Sequence, residues 1–369
     1  MNKNYFKGVL LLSMSMLLFS LPSHSQLNLP RGSQKAKVEQ TIGITKISIS
    51  YSRPSVKDRE LWGNLVPYGM NNLGFGTATE SPWRAGADEN TVIEFSDQVS
   101  IEGKSLEKGK YGLHMVLMEN DKATIIFSKD YEAWGSYFYD PSRDALRVEV
   151  STNDIPHMEE LTYMFNELKP NSAKVSLNWG QKQIPFIVEV AVTEIVMADI
   201  RKKLQNSPGF NRQTWEQAAN YALNNGGDLN EALGWINATI SGQFFSEKTF
   251  NNLSIKSKIL EKQGNTAEAE ATMKEALNLA TVFEAHSYGR QLIANGQPQK
   301  ALEVFKMNAK KYKNEWPVDF GLARGYSANA EYKKALKHLK IAEGRAPDQI
   351  NKDAIAAYVI KLEEGKDIN

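Results

Sequence analysis

Two motifs in the first half of the chain, YSRPSVKDRELWGNLVPYG from Tyr51 and PWRAGADENT from Pro82, bring together Arg53, Arg59 and Arg84 with Asp58, Glu60, Asp88 and Glu89, and with Trp62 and Trp83. A guanidinium presents a planar fork of N–H donors that matches a carboxylate or phosphate, and an indole offers an apolar face to a sugar ring. These types at this density point to a site for a small polar or glycan-like ligand. Its candidate residues are Arg53, Asp58, Arg59, Trp62, Trp83, Arg84, Asp88, Glu89 and, from LHMVLM further on, His114. Trp134 is a further candidate stacking face.

The same acids admit a second chemistry. Carboxylate pairs drawn from Asp58, Asp88, Glu89, Asp140 or Asp144, with His114 as proton carrier, would suit an envelope hydrolase or isomerase acting on a carbohydrate or related metabolite, and the separation between the acids would decide the mechanism. That chemistry requires Arg53, Arg84, Asp88 and His114 to converge on one open pocket. A third role is structural: loops over a small β core must satisfy their own backbone, and pairs such as Arg53 with Asp58 or Arg84 with Asp88 can pin them.

These residues need a frame to hold them. From Lys37 to Val192 the hydropathy alternates with a period of two. Ile47, Ile49 and Tyr51 interleave with Lys46, Ser48 and Ser50, and similar runs recur at 91–95, 98–101, 111–118, 124–128, 146–151, 161–167, 174–178 and 184–192. Turn signals separate them at Glu102-Gly103-Lys104, Lys108-Gly109-Lys110, Glu119-Asn120-Asp121, Pro170-Asn171 and Trp179-Gly180. Eight or nine short strands with tight turns predict an antiparallel β-sandwich or barrel. His157-Met158-Glu159-Glu160 lacks a second zinc-ligand histidine and reads as a solvated loop.

The phrases YSRPSVKDRELWGNLVPYG, WRAGADENT, IEGKSLEKGKYGLHMV and WGSYFYDPSRDALRVEV, in that order, resemble the domain-of-unknown-function 2911 family of exported bacterial proteins over roughly Leu29 to Val192. The resemblance implies a domain of that kind and no established activity. The chain departs from the pattern in a longer bridge from Met70 to Pro82, and in Asp88 where asparagine is usual.

After Val192 the period becomes helical. A linking helix over about Thr193 to Gln205 should end at Asn206-Ser207-Pro208-Gly209. The triplets at Ala232, Ala269, Ala301 and Ala335 then follow Gly227, Gly264, Gly296 and Ala330, with the alanines 37, 32 and 34 residues apart. That spacing resembles the tetratricopeptide repeat, whose period is about 34 residues. Tyr288-Gly289-x2-Leu292 with Ala301-x3-Phe305, and Leu322-Ala323-x2-Tyr326 with Ala335-x3-Leu339, fit its alternation of small and large residues. Ile350 to Glu364 reads as a capping helix. The resemblance implies a solenoid that meets a protein partner, and the same repeats would equally serve as a rigid spacer.

The fold class is therefore multidomain β plus α: residues 1–25 as a signal peptide, 26–192 as the β domain, 193–210 as linking helix and linker, and 211–369 as tetratricopeptide-like repeats. The first segment carries Lys3 and Lys7, an apolar run from Gly8 to Leu21, and Ser23-His24-Ser25 before a cleavage expected ahead of Gln26. An exported protein, periplasmic or extracellular and soluble after cleavage, is the expectation. There are no cysteines, so disulfides and a lipid-bearing cysteine are excluded. Loss of Lys3 and Lys7 takes the formal net charge from +1 to −1, which gives no electrostatic case for nucleic acid.

No nucleophile elbow, phosphate-binding loop, dinucleotide fingerprint or zinc helix occurs, so neither a cofactor nor a metal is expected. Asp319-Phe320-Gly321 copies a kinase phrase but falls inside a repeat helix without the other kinase loops.

Overall fold

The computed structural model describes residues 29–369, so the signal-peptide expectation for residues 1–25 lies outside the described residues. The chain divides between Val192 and Thr193 into two compact units.

In the first unit, β1 (Gln34–Ile42) and β2 (Thr45–Arg53) form a hairpin in which Ile42 pairs with Thr45. The two-residue turn is closed by Gly43 at φ +60, a conformation that matches the twist of the strands and that glycine adopts without strain. The remaining strands are β3 (Val92–Phe95), β4 (Val99–Ile101), β5 (Lys104–Leu106), β6 (Gly109–Leu117), β7 (Lys122–Ser128), β8 (Asp144–Ser151), β9 (Asn153–Lys169) and β10 (Ser172–Glu189).

They make two antiparallel sheets, one ordered β1-β2-β3-β6-β7-β8 and the other β5-β4-β10-β9. The sheets stay separate, so the sandwich alternative holds and the barrel does not. Phe127 of the first sheet meets Phe186 of the second edge to face at 5.9 Å, and both are fully buried with Phe95 and Trp179. Each such side chain contributes on the order of 1.5–3 kcal/mol by leaving water.

Two local expectations are corrected. Trp179-Gly180 is not a turn between strands. It is a bulge inside the 18-residue β10, where the register against β9 shifts on both sides of Gly180 and Gly180 takes φ +56. Likewise His157 to Glu160 lies within β9 rather than in a loop; the residues are solvated, but as the outer end of a long strand paired with β10.

The second unit holds ten α-helices among the described residues: α1 (Val192–Leu204), α2 (Arg212–Asn225), α3 (Leu229–Ile240), α4 (Phe250–Lys262), α5 (Thr266–Leu279), α6 (Val282–Ala294), α7 (Pro298–Lys311), α8 (Trp316–Ala328), α9 (Tyr332–Arg345) and α10 (Gln349–Glu363). Helices α2 to α9 pack as consecutive antiparallel pairs, and α10 closes on α9.

Local chemistry fixes their ends. Asn211 and Asp228 cap α2 and α3, Thr249 with Asn252 and Thr281 with Glu284 form capping boxes, and Gly226 ends α2 in the left-handed region. The small residues of the repeat do what the spacing predicts. A Cβ on Gly289, Gly321 or Gly325 would come within 2.5, 2.7 or 2.8 Å of the ring of Phe305, so glycines of α6 and α8 make the slot that this fully buried side chain of α7 fills. Asp319 of the kinase-like phrase is buried in α8, 2.9 Å from His338 Nδ1 and accepting a 2.7 Å bond from Arg345, an internal tie between α8 and α9.

Candidate functional site

The segment 54–91 joins β2 to β3 without forming a strand of its own. It is stitched to the sandwich by short bridges, Ser55 with Glu160, Tyr68 with Leu117 and Trp83 with Met115, which satisfy its backbone as it crosses β6 and β9. This cover explains why both faces of β6 are buried around His114, where the alternation alone predicts a single buried face.

Under the segment lies a cavity of about 430 Å³, within the range of small-ligand sites. Its wall includes Lys57, Arg59, Trp83, Arg84, Ser81, Ser136 and Trp179. Trp83 and Trp179 are stacked with centroids 6.0 Å apart and planes 15° from parallel, and Trp62 meets both edge-on at 5.9 Å. The indole Nε1 groups of Trp62 and Trp179 are buried without a protein acceptor among the described residues.

The nine sequence candidates separate clearly. Arg59, Trp83 and Arg84 line the cavity, and Trp62 supports its tryptophan wall. Arg53 does not line it: its Nε donates to Leu161 O at 3.0 Å and its Nη2 to Thr162 Oγ1 at 2.7 Å, tying β2 to β9. Asp58 is exposed in a turn at φ +55 and forms no pair with Arg53.

Asp88 and Glu89 also stand outside the cavity. The Asp88 carboxylate is nearest Arg31, at 4.0 Å, while Glu89 accepts a 2.7 Å bond from Arg31 and pairs with Lys35 at 3.0 Å. The bond from Arg31 and the charge of Lys35 hold Glu89 down to about 2.

His114 is buried behind the wall, its Nδ1 3.0 Å from Ser136 Oγ and its ring 5.8 Å from that of Tyr139. Burial, reinforced by the nearby positive charge of Arg84, lowers it to about 4, so the imidazole is neutral at neutral pH. Arg53, Arg84, Asp88 and His114 therefore do not converge on one pocket, and no Asp or Glu lines this one. The facing carboxylates that a glycosidase mechanism needs are not assembled here.

Asp140 and Asp144 serve local structure as well. Asp140 caps a short 3₁₀ turn at Pro141–Arg143, and Asp144 accepts hydrogen bonds from Tyr139 Oη at 2.7 Å and Arg147 Nε at 2.6 Å. No cluster of three or more metal-binding side chains occurs among the described residues.

The wall residues missed in the sequence are Lys57, Ser81, Ser136 and Trp179. For Trp179 a signal was present: Val175, Leu177 and Trp179 continue one alternating face, and the following glycine disguised it as a turn. Trp134 does not reach the cavity wall and is exposed.

Both guanidiniums of the wall are held by neutral carbonyls. Arg59 Nε donates to Val56 O at 2.9 Å and its Nη2 donates to Ser55 O, whereas Arg84 Nη1 donates to Asp88 O and its Cζ sits 5.2 Å above the Tyr137 ring. Neither has a carboxylate within 4.0 Å among the described residues, so their charge stays available to a ligand.

An antiparallel sandwich with a polar cavity beneath one long crossing segment, followed in sequence by tetratricopeptide-like helical pairs, is the class of protein defined by these features. Residues 33–188 match the family described as "Protein of unknown function (DUF2911)", and the resemblance carried by the motifs is borne out. None of the curated proteins matches the chain.

Similar solved structures are tetratricopeptide proteins. The C-terminal part of a TPR repeat-containing protein from Cytophaga hutchinsonii is 15% identical over 47% of this chain and 67% of its own, with a TM-score of 0.33. YrrB, described as a TPR protein with an unusual peptide-binding site, is 14% identical over 45% of this chain and 84% of its own, with a TM-score of 0.27. At such scores the character of the helical unit rests on its own repeat spacing and packing.

Proposed function

We propose that this is an exported binding protein whose β-sandwich holds a small polar or glycan-like ligand in the cavity under segment 54–91, and whose helical repeats engage a protein partner. The observation that carries the first part is the cavity itself: paired indole faces of Trp83 and Trp179 stand beside guanidiniums fixed by backbone carbonyls, the combination of apolar surface and few oriented polar groups that small-ligand sites use. Export is supported by the basic, apolar and small-residue order of residues 1–25.

Because Trp83 and Trp179 form the wall, titration of the full chain with saccharides should change its tryptophan fluorescence saturably; a flat response across neutral and charged sugars would refute ligand binding. For the repeats, a groove of about 610 Å³ between the α4–α5 and α6–α7 pairs, where half-buried Tyr288 and Met307 lie among Lys258, Glu261, Lys300 and Glu303, offers mixed apolar and charged surface to a partner. Affinity capture from the envelope fraction with the whole chain and with a chain ending at Gln205 tests it: every partner surviving the truncation would remove the scaffold role. Amino-terminal sequencing of the exported product should begin at Gln26.

A further inference from the structure

The cavity is rich in donors and has no carboxylate in its wall. Lys57, Arg59 and Arg84 bring positive charge, and two indole N–H groups behind them lack protein acceptors among the described residues. Three of the nearby acids are engaged elsewhere: Glu89 by Arg31 and Lys35, Glu159 by the backbone N–H of Lys57 at 2.9 Å, and Glu60 by Asn64, while Asp58 is exposed and outside the wall. With three cations, a few hydroxyls and one amide in its wall and no carboxylate, the cavity is complementary to an acceptor-rich anionic group, an ionised oxyacid.

The two loops that carry the cations are also strained. Lys57, Asp58, Ala85 and Asp88 have φ of 51, 55, 49 and 58°, in the left-handed region that favours glycine and that aspartate tolerates better than lysine or alanine.

An aromatic surface leads away from the cavity. Arg84 lies over Tyr137, Tyr137 meets Phe75 at 5.6 Å, and Phe75 meets Phe138 at 6.0 Å, with Phe75 67% and Phe138 50% exposed. The surface is built rather than frayed, since a Cβ on Gly76 would strike Tyr137 O at 2.1 Å. Exposed rings joined to a cationic cavity suit a ligand longer than the cavity, with apolar ring faces and repeated polar edges.

Resting on the binding role proposed above, we infer that the ligand is an acidic oligosaccharide: one anionic group, carboxylate or phosphate ester, sits among Lys57, Arg59 and Arg84, and the adjoining sugars lie on Phe75 and Phe138. Calorimetric titration of the full chain at low salt tests this with trigalacturonate, galacturonate, maltotriose and glucose 6-phosphate. Trigalacturonate or glucose 6-phosphate should bind while neutral maltotriose does not, and the two acidic probes separate a carboxylate from a phosphate preference.

The double substitution Lys57→Gln with Arg59→Gln should weaken the acidic probe about tenfold or more, since a hydrogen bond to a charged group contributes about 1.5–3 kcal/mol. Lys57→Gln alone, at an exposed position, should give a smaller loss of the same sign and covers the case in which the double variant fails to fold. Phe75→Ser should weaken trigalacturonate and leave galacturonate unchanged. Maltotriose binding as tightly as trigalacturonate, or cationic variants that bind normally, would overturn the acidic assignment while leaving saccharide binding intact. Silence from all four probes would instead remove the binding role and this inference with it.

Discussion

Arg84 donates to the main-chain carbonyl of Asp88, not to its carboxylate, which is turned toward Arg31 at 4.0 Å. The residues that look like an ion pair in the sequence are thus joined through the backbone, and the guanidinium keeps its charge while closing the left-handed turn at Asp88.

Arg84→Gln should therefore destabilise the β unit by about 1–3 kcal/mol, through loss of a charge-assisted bond and of the stacking on Tyr137. Asp88→Asn should stay within about 0.5 kcal/mol of the parent, because its side chain is partly exposed and asparagine tolerates the left-handed region at least as well. Urea unfolding followed by tryptophan fluorescence compares them, and equal losses would show the carboxylate to be the true partner.

Glu89 should titrate near 2, as its bond from Arg31 and the charge of Lys35 dictate. A depressed carboxylate contributes stability that is present above its unfolded value of about 4.5 and is lost as pH falls from there to about 2. Side-chain NMR should see the Glu89 midpoint rise toward the ordinary carboxylate range in Arg31→Gln. An unmoved midpoint would exclude Arg31 as the cause.

His114 carries the opposite chemistry in a neighbouring pH window. Burial, then Arg84, depress it to about 4 from an unfolded value near 6.5, so the unfolded chain binds the extra proton first and stability falls as pH drops from about 6.5 to about 4. The slope this residue can add is about 1.4 kcal/mol per pH unit inside that window. Substituting His114→Gln should flatten the acid limb of the β unit between those values, measured by urea midpoints at stepped pH; an unchanged limb would place the acid sensitivity elsewhere.

In the helical unit, Gly289→Ala should cost about 1–3 kcal/mol, since the added methyl would come within 2.5 Å of the Phe305 ring in a packed core. Phe305→Ala should cost about 3–5 kcal/mol by leaving a cavity. Because the two residues share one slot, the double variant should be less damaged than the sum of the singles, and far-UV circular dichroism against denaturant reads the coupling. Strict additivity would mean they do not touch.

Much of this frame was legible in the chain. Alternation about Ile47, Ile49 and Tyr51 predicted a strand because side chains of a strand must point to opposite faces, though Ser48 and Ser52 of the other face are buried too, and the alanine spacing predicted paired helices because close approach needs small residues. Trp179 escaped because a bulge and a turn both begin with glycine at positive φ, and only pairing with β9 separates them. The cavity wall was half legible: Arg59, Trp83 and Arg84 are local to the charged motifs, whereas Ser136 and Trp179 arrive from segments far along the chain.

By itself the sequence determined the two architectures, the position where one gives way to the other, and the charged segment over the sandwich, since each follows from periodicity or composition along the chain. Only the tertiary structure decided which of the charges face the cavity. Side-chain partners depend on distances between segments far apart in sequence, which is why Arg53 was drawn to Leu161 and Thr162, Glu89 to Arg31 and Lys35, and the cavity wall was left with cations and tryptophans and without a carboxylate.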